Sequence, residues 1–134
     1  MPDWSALREH NAPVFKRLGL FVDGDLPTQP GITPTLALQV DESMLNASGL
    51  CHGGIVYALA DTACAWALMA AGVQPATVDA SITYLRAASV GEKVVAHPRL
   101  LKRGRAVGSC DVQLLGKGNR LIACYRGTCL HVER

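Results

Sequence analysis

Apolar positions along the chain change period twice, and those changes outline the fold. Leu36, Leu38 and Val40 alternate with Ala37, Gln39 and Asp41, the period-two pattern of a half-buried strand. His52-Gly53-Gly54 then opens a continuous apolar run from Ile55 to Ala70, the length of a helix and not of a strand. Gly72 and Pro75 break it, and period two returns: Val78, Ala80, Ile82 and Tyr84 alternate with Thr77, Asp79, Ser81 and Thr83. Further strands are predicted over 93–102, 105–115 and 120–132. The turns are Ser89-Val90-Gly91-Glu92, Lys102-Arg103-Gly104 and Gly116-Lys117-Gly118-Asn119. Pro98 suggests that its strand lies at an edge or carries a bulge. Residues 1–20 read as a short helical lead-in, with Asp3 as N-cap and Pro13 limiting the first helix. Residues 23–34, rich in Gly and Pro, read as irregular connection. The predicted order is strand, long helix, then four strands in a meander: one α+β domain over residues 1–134, with 1–34 as lead-in and loop.

The central helix is apolar on every side, so it needs cover on every side. One sheet covers one flank, and a second subunit is the obvious supplier of the other. On a helical wheel Ile55, Leu59, Ala63, Trp66 and Ala70 gather opposite Asp61 and are expected against the sheet. Around Asp61 lie Gly54, Ala58, Cys64, Ala65 and Leu68, mostly small residues that let a partner or ligand approach. Asp61 is the only charged residue between His52 and Asp79. A carboxylate in such a helix costs stability unless something uses it, and desolvation in general makes a carboxylate more basic.

Composition narrows the classes. The chain has 134 residues, 49 % hydrophobic and 18 % charged, with a formal charge of +2. That is globular and too mildly basic to argue for nucleic acid. Five cysteines without a C-x-x-C pair, and a start lacking a signal-peptide pattern, read as reduced thiols in the cytoplasm. No Cys and His fall at zinc-finger spacing, so no metal is expected. The apolar helix falls short of the roughly 20 residues of a membrane span and carries an aspartate near its centre, so no membrane is expected either.

Residues 46–61 read Asn46-x-x-Gly49-x-x-His52-Gly53-Gly54-x-x-x-x-Leu59-Ala60-Asp61. Gly53 and Gly54 at a helix start leave backbone N–H groups open to an oxyanion, and the helix dipole adds to the attraction. Asn46 and His52, just before, can hydrogen-bond a substrate or a water. Asp61 lies eight residues beyond Gly53, about 12 Å of helical rise, whereas a polarised carbonyl needs its base or nucleophile within roughly 3 Å of the reacting atom. One helix cannot serve one site twice. Two antiparallel helices related by a two-fold axis can, which predicts an obligate dimer with two composite sites.

The segment resembles the signature of hotdog-fold acyl-CoA thioesterases in the 4-hydroxybenzoyl-CoA thioesterase superfamily, specifically the phenylacetate-degradation (PaaI-like) branch. Asn, Gly, His-Gly-Gly and Leu-Ala-Asp stand at its spacings, followed by the strand Val78-Asp79-Ala80-Ser81-Ile82-Thr83-Tyr84-Leu85-Arg86. The resemblance covers roughly residues 35–132. It implies a hotdog fold, a long helix wrapped by an antiparallel sheet, and hydrolysis of acyl-CoA without a cofactor. Gly53 is then similar to the backbone donor that polarises the thioester carbonyl. Asp61 resembles the general base or nucleophile from the opposing subunit, both roles remaining open. Asn46 and His52 match loop residues that hold the thioester oxygen, the water or the turn, and Thr77 a hydroxyl that orients the water or the acid. A related branch places glutamate at the position of Asp61 and a threonine at that of Ala65; the aspartate branch fits this sequence. The expected assembly is a homodimer pairing into a homotetramer.

Coenzyme A carries phosphates, so Lys102, Arg103 and Arg105 at a hairpin tip, with Arg86, are candidates to meet them. Gly54 is placed beside the substrate, and Leu50, Tyr57 and Leu68 are candidates to line an acyl pocket for a phenylacetyl-type or medium-chain group. Each residue also has a plainer reading: Asp61 a satisfied core aspartate, His52 a capping residue, Asn46 an Asx turn, Gly53-Gly54 a turn, the basic tip a solvated hairpin. Rival functions are a hotdog hydratase or dehydratase, which typically sets a histidine against an acid, and a non-catalytic acyl-CoA sensor.

Overall fold

The computed structural model describes residues 1–132. Helix α1 (Trp4–Leu18) leads into β1 (Leu20–Val22) and β2 (Leu36–Gln39), and a 3-10 turn at Glu42–Met44 precedes helix α2 (Gly53–Ala70). Four strands follow: β3 (Pro75–Tyr84), β4 (Lys93–Arg103), β5 (Val107–Leu115) and β6 (Leu121–His131). All six pair antiparallel in one sheet of order β1-β2-β4-β5-β6-β3, and α2 packs against β2 to β6. This is the α+β hotdog arrangement.

Two expectations about topology need correction. The last four strands are not a simple meander: β3 pairs with β6 along its length, and β4 begins on the far side of the sheet, beside β2. A period-two pattern identifies strands but not their neighbours. The turn at Ser89–Glu92 closes onto the end of β2, where Val40 N–H donates to Glu92 O and Gly91 N–H to Val40 O, each at 2.9 Å. Nor does Pro13 end the first helix, which runs through it to Leu18. Trp4 and Phe15 stack on Trp66 of α2 with ring centroids 5.5 and 5.8 Å away. Burying those rings contributes about 1.5–3 kcal/mol each, enough to offset the roughly 3 kcal/mol of an interior proline. The lead-in also supplies β1, too short at three residues to show a period.

Pro98 sits inside β4, opposite Val112 of β5. On the other flank β2 covers β4 only at Lys93–Val95, so at Pro98 that flank is an edge and no ladder bond is lost.

By length and composition α2 could cross a membrane, yet one side of it forms the centre of the core. The buried sector is wider than the wheel predicts. Val56, Leu59, Ala60, Ala63, Cys64, Trp66, Ala67 and Leu68 are buried, whereas Ile55 and Ala70 are half-buried. Asp61 therefore stands at the seam between the sheet-facing side and the uncovered side of Gly54, Ala58, Ala65 and Met69.

Candidate active site

The start of α2 is assembled by the loop before it. Asn46 Oδ1 accepts from Ser48 N–H at 2.9 Å and Leu50 N–H at 3.2 Å, and its own N–H donates to Leu50 O. Its side chain thus holds a compact turn, with Gly49 at φ +77°. His52 is the N-cap: its N–H donates to Met44 O at 2.7 Å, and its Nδ1 accepts from Gly54 N–H at 3.2 Å. Nδ1 is therefore the unprotonated nitrogen, and His52 positions the helix start. Gly54 N–H, expected beside the substrate, is occupied by this cap. Among the described residues Gly53 N–H has no acceptor.

Gly53 opens onto a cleft of ≈ 310 Å³ lined by Asn46, Leu50, Val56, Tyr84, Arg86 and Ile122 among others. The Tyr84 hydroxyl donates to Gly53 O at 2.8 Å, and its ring lies so near that a Cβ at Gly53 would sit 3.0 Å from Cζ. Any side chain at this position would crowd the donor. Burial raises the Tyr84 phenol above its ordinary range, with the nearby Tyr57 adding to it, so the hydroxyl stays a donor.

A second cluster of candidate residues lies two turns along. Tyr125 of β6 donates to Asp61 Oδ1 at 2.6 Å, and Thr77 of β3 reaches the same oxygen at 3.4 Å. Thr77 Oγ1 is also 3.5 Å from Cys129 Sγ. A bulge brings Thr77 there. Thr77 pairs with Cys129 and Asp79 with Thr128, leaving Val78 extra and 57 % exposed. Without it Thr77 would face away from Ala80 and Ile82, which pack on the core; with it, all three lie on the face of the sheet toward α2, Thr77 itself remaining exposed.

The other candidates divide between the cleft and the rest of the fold. Leu50 and Arg86 line the cleft. Tyr57 packs edge-on against Tyr125, centroids 5.5 Å apart at 79°. Leu68, expected at the acyl pocket, is instead fully buried; a Cβ at Gly108 of β5 would lie 2.7 Å from its Cδ2. It is a core residue because the sheet curls around α2 further than the wheel assumed. Arg103, expected to meet phosphate, donates through Nε to Ala71 O at 2.7 Å and caps the C-terminus of α2. Lys102 and Arg105 remain exposed at the same tip. Within one protomer that tip and Arg86 belong to opposite ends of α2.

Sequence reasoning missed Tyr84 and Tyr125. The inward positions of β6 are Ala123, Tyr125, Gly127 and Cys129. A lone tyrosine among small residues on a buried strand face signals a hydroxyl that needs a partner.

The model of the thioesterase superfamily matches residues 48–123, from the loop before α2 into β6. A putative esterase of Archaeoglobus fulgidus is 38 % identical over 94 residues, covering 70 % of this chain and 61 % of its own. The acyl-coenzyme A thioesterase PaaI of Escherichia coli is 29 % identical over 92 residues, 69 % of this chain and 66 % of that protein. Its solved structure superposes with a TM-score of 0.84 at 25 % identity, over 96 % of this chain and 91 % of that one. Acyl-coenzyme A thioesterase 13 of Mus musculus is 35 % identical over 94 residues, 68 % and 67 % of the two chains. The chain thus spans less than two thirds of the length of the first two relatives. The matched span holds His52, Gly53, Asp61 and Thr77, on a fold that agrees over nearly the whole chain, and the protein belongs to the thioesterase superfamily.

Proposed function

We propose that this protein hydrolyses acyl-CoA thioesters to free acid and CoA, at composite sites formed by two antiparallel α2 helices of a homodimer. The observation that carries this reading is the division of labour along α2. An unpaired Gly53 N–H and a half-buried Asp61 lie on one helix, about 12 Å apart by its rise and so too far apart to meet at one carbonyl. Asp61 borders the helix side that the sheet leaves uncovered, and this side is the one the proposal gives to a second α2. The relatives named acyl-coenzyme A thioesterase support the substrate class.

In this reading the Gly53 N–H of one subunit stabilises the oxyanion as the thioester carbonyl is attacked. Asp61 of the other either removes a proton from the attacking water or attacks the carbonyl carbon itself. In the first case the tetrahedral intermediate collapses with C–S cleavage and thiolate departure. In the second a mixed anhydride forms and water then cleaves it; both routes yield acid and thiol. His52, holding the helix start through Nδ1, fits this scheme better than the acid–histidine pairing of a hydratase.

Antiparallel pairing would also carry Lys102 and Arg105 of one subunit toward Arg86 of the other, making the basic rim that CoA phosphates require. The cleft's apolar residues, Leu50, Val56 and Ile122, suit a phenylacetyl-type or medium-chain acyl group. Five free thiols suit the cytoplasm. Pairing of dimers into a homotetramer is read by sedimentation.

A thiol-release assay over phenylacetyl- and medium-chain acyl-CoAs tests the proposal. Asp61→Asn is expected to lower kcat by at least about 10²-fold with substrate binding kept; unchanged turnover would remove Asp61 from the chemistry. Subunit exchange tests the shared site. Asp61→Asn and Gly53→Pro protomers, each inactive alone, regain about a quarter of parental activity on mixing, because random dimers restore one complete site in each hybrid.

A further inference from the structure

We propose that Tyr125 is a positioning residue that fixes which oxygen of Asp61 reacts, occupying Oδ1 and leaving Oδ2 to face the substrate. This rests on the hydrolytic role of Asp61 argued above and adds a residue outside the matched family span of 48–123. The contact is short, 2.6 Å, as expected for a phenol donating to a carboxylate. Thr77 approaches the same oxygen at 3.4 Å, and among the described residues no donor reaches Oδ2. Two donors converging on one oxygen break the symmetry of the carboxylate. Both donors come from the sheet, one from β6 and one from β3, so Oδ1 is the oxygen tied to the sheet and Oδ2 the one left without a donor among the described residues.

The tyrosine is built to stay there. It is only 2 % exposed, and the edge-on contact with Tyr57 blocks rotation on one side. On the other, Gly127 leaves the slot along β6 in which the hydroxyl lies: a Cβ there would sit 2.9 Å from Tyr125 Oη and 2.8 Å from Cys64 Sγ. Burial first, and then the hydrogen bond to Asp61, push the Tyr125 phenol well above its ordinary range. It remains a donor wherever Asp61 is ionised. Among the described residues, the other titratable groups around this pair are the Cys64 thiol, the Tyr57 phenol packed on Tyr125 and, behind Thr77, the Cys129 thiol.

A tyrosine that merely fills the core would affect folding and not the acid. Tyr125→Phe is therefore assayed beside the parent and Asp61→Asn, on the same thioester panel. We expect kcat to fall about tenfold, one lost charge-assisted hydrogen bond, with KM within twofold. The acidic limb of the kcat profile should move to higher pH, because a donor that favours the ionised carboxylate is gone. 3-Fluorotyrosine at position 125 keeps ring and hydroxyl but donates more strongly, so the limb should move to lower pH; it also serves if the phenylalanine variant does not fold. Opposite displacements establish positioning. If Asp61→Asn is inactive while both Tyr125 replacements keep kcat within twofold and leave the limb in place, the positioning role is overturned and the hydrolytic reading stands. If Asp61→Asn turns over normally, the hydrolytic reading itself has failed.

Discussion

The two ends of α2 face the same physical problem and resolve it differently. Every helix leaves unpaired N–H groups at its start and unpaired carbonyls at its finish. At the finish most of them are closed off. Ala71 N–H donates to Ala67 O and Leu68 O, Gly72 N–H to Met69 O, Val73 N–H to Leu68 O, and the Arg103 guanidinium covers Ala71 O. At the start one donor is capped, Gly54 by His52, and the neighbouring Gly53 N–H opens on a cleft. The closed end is built for stability. The open end keeps a polar group unpaired, an arrangement that persists where a ligand will use it.

The largest effect should come from closing the open donor without disturbing the helix. Gly53 is the first helical residue, where proline is well tolerated, and His52 before it has φ −63° and ψ 131°, which proline accepts in its predecessor. Gly53→Pro deletes the N–H and also brings a Cβ to about 3.0 Å from Tyr84 Cζ. Thiol release should fall by about 10²–10³-fold, the range for loss of one oxyanion donor. Gly53→Ala is the control, because it brings the same Cβ toward Tyr84 but keeps the N–H. If alanine and proline were equally harmful, crowding by Tyr84 would be the cause and the donor role would be withdrawn.

A smaller effect separates the cap from the donor beside it. His52→Ala removes the acceptor for Gly54 N–H and should cost about 1 kcal/mol, seen as a lower denaturation midpoint. His52→Asn restores an oxygen acceptor and should recover both stability and turnover, since the histidine acts here through its cap. Stability recovered without activity would assign the imidazole a role in the reaction itself.

How far the sequence could reveal this molecule follows the same division between local and distant. The apolar run from Ile55, the Gly-Gly at its head and the lone Asp61 are local signals, and their spacing along one helix is what leads to the proposal of a second subunit. Strand positions were also readable, because period two needs only neighbours. What was hidden depends on pairing between distant segments. The alternation 78–80–82–84 gives no hint that a bulge at Val78 turns Thr77 inward, since the bulge exists only against β6. Tyr125 meets Asp61 across 64 residues of sequence. Leu68 lies close to Asp61 on the wheel, and only the curl of β5 over α2 buries it. Pro13 obeys its local rule in isolation and loses to the aromatic stack on Trp66.

Arg103 gives the smallest effect. In sequence it is one of three similar cations in Lys102-Arg103-Gly104-Arg105, and nothing local distinguishes it. In the fold all three side chains are exposed, but the Arg103 Nε is turned back onto Ala71 O. Arg103→Met keeps much of the stem and removes the charge at the negative end of the helix dipole, a loss of about 0.3–1 kcal/mol. The thermal midpoint should drop slightly, and less so at high salt as screening weakens the contact. KM for acyl-CoA should stay within twofold. Lys102→Ala with Arg105→Ala should do the reverse, raising KM in a salt-dependent way at constant stability. A rise in KM with Arg103→Met equal to that of the double variant would put the guanidinium among the phosphate ligands and erase the difference between the two ends of the helix.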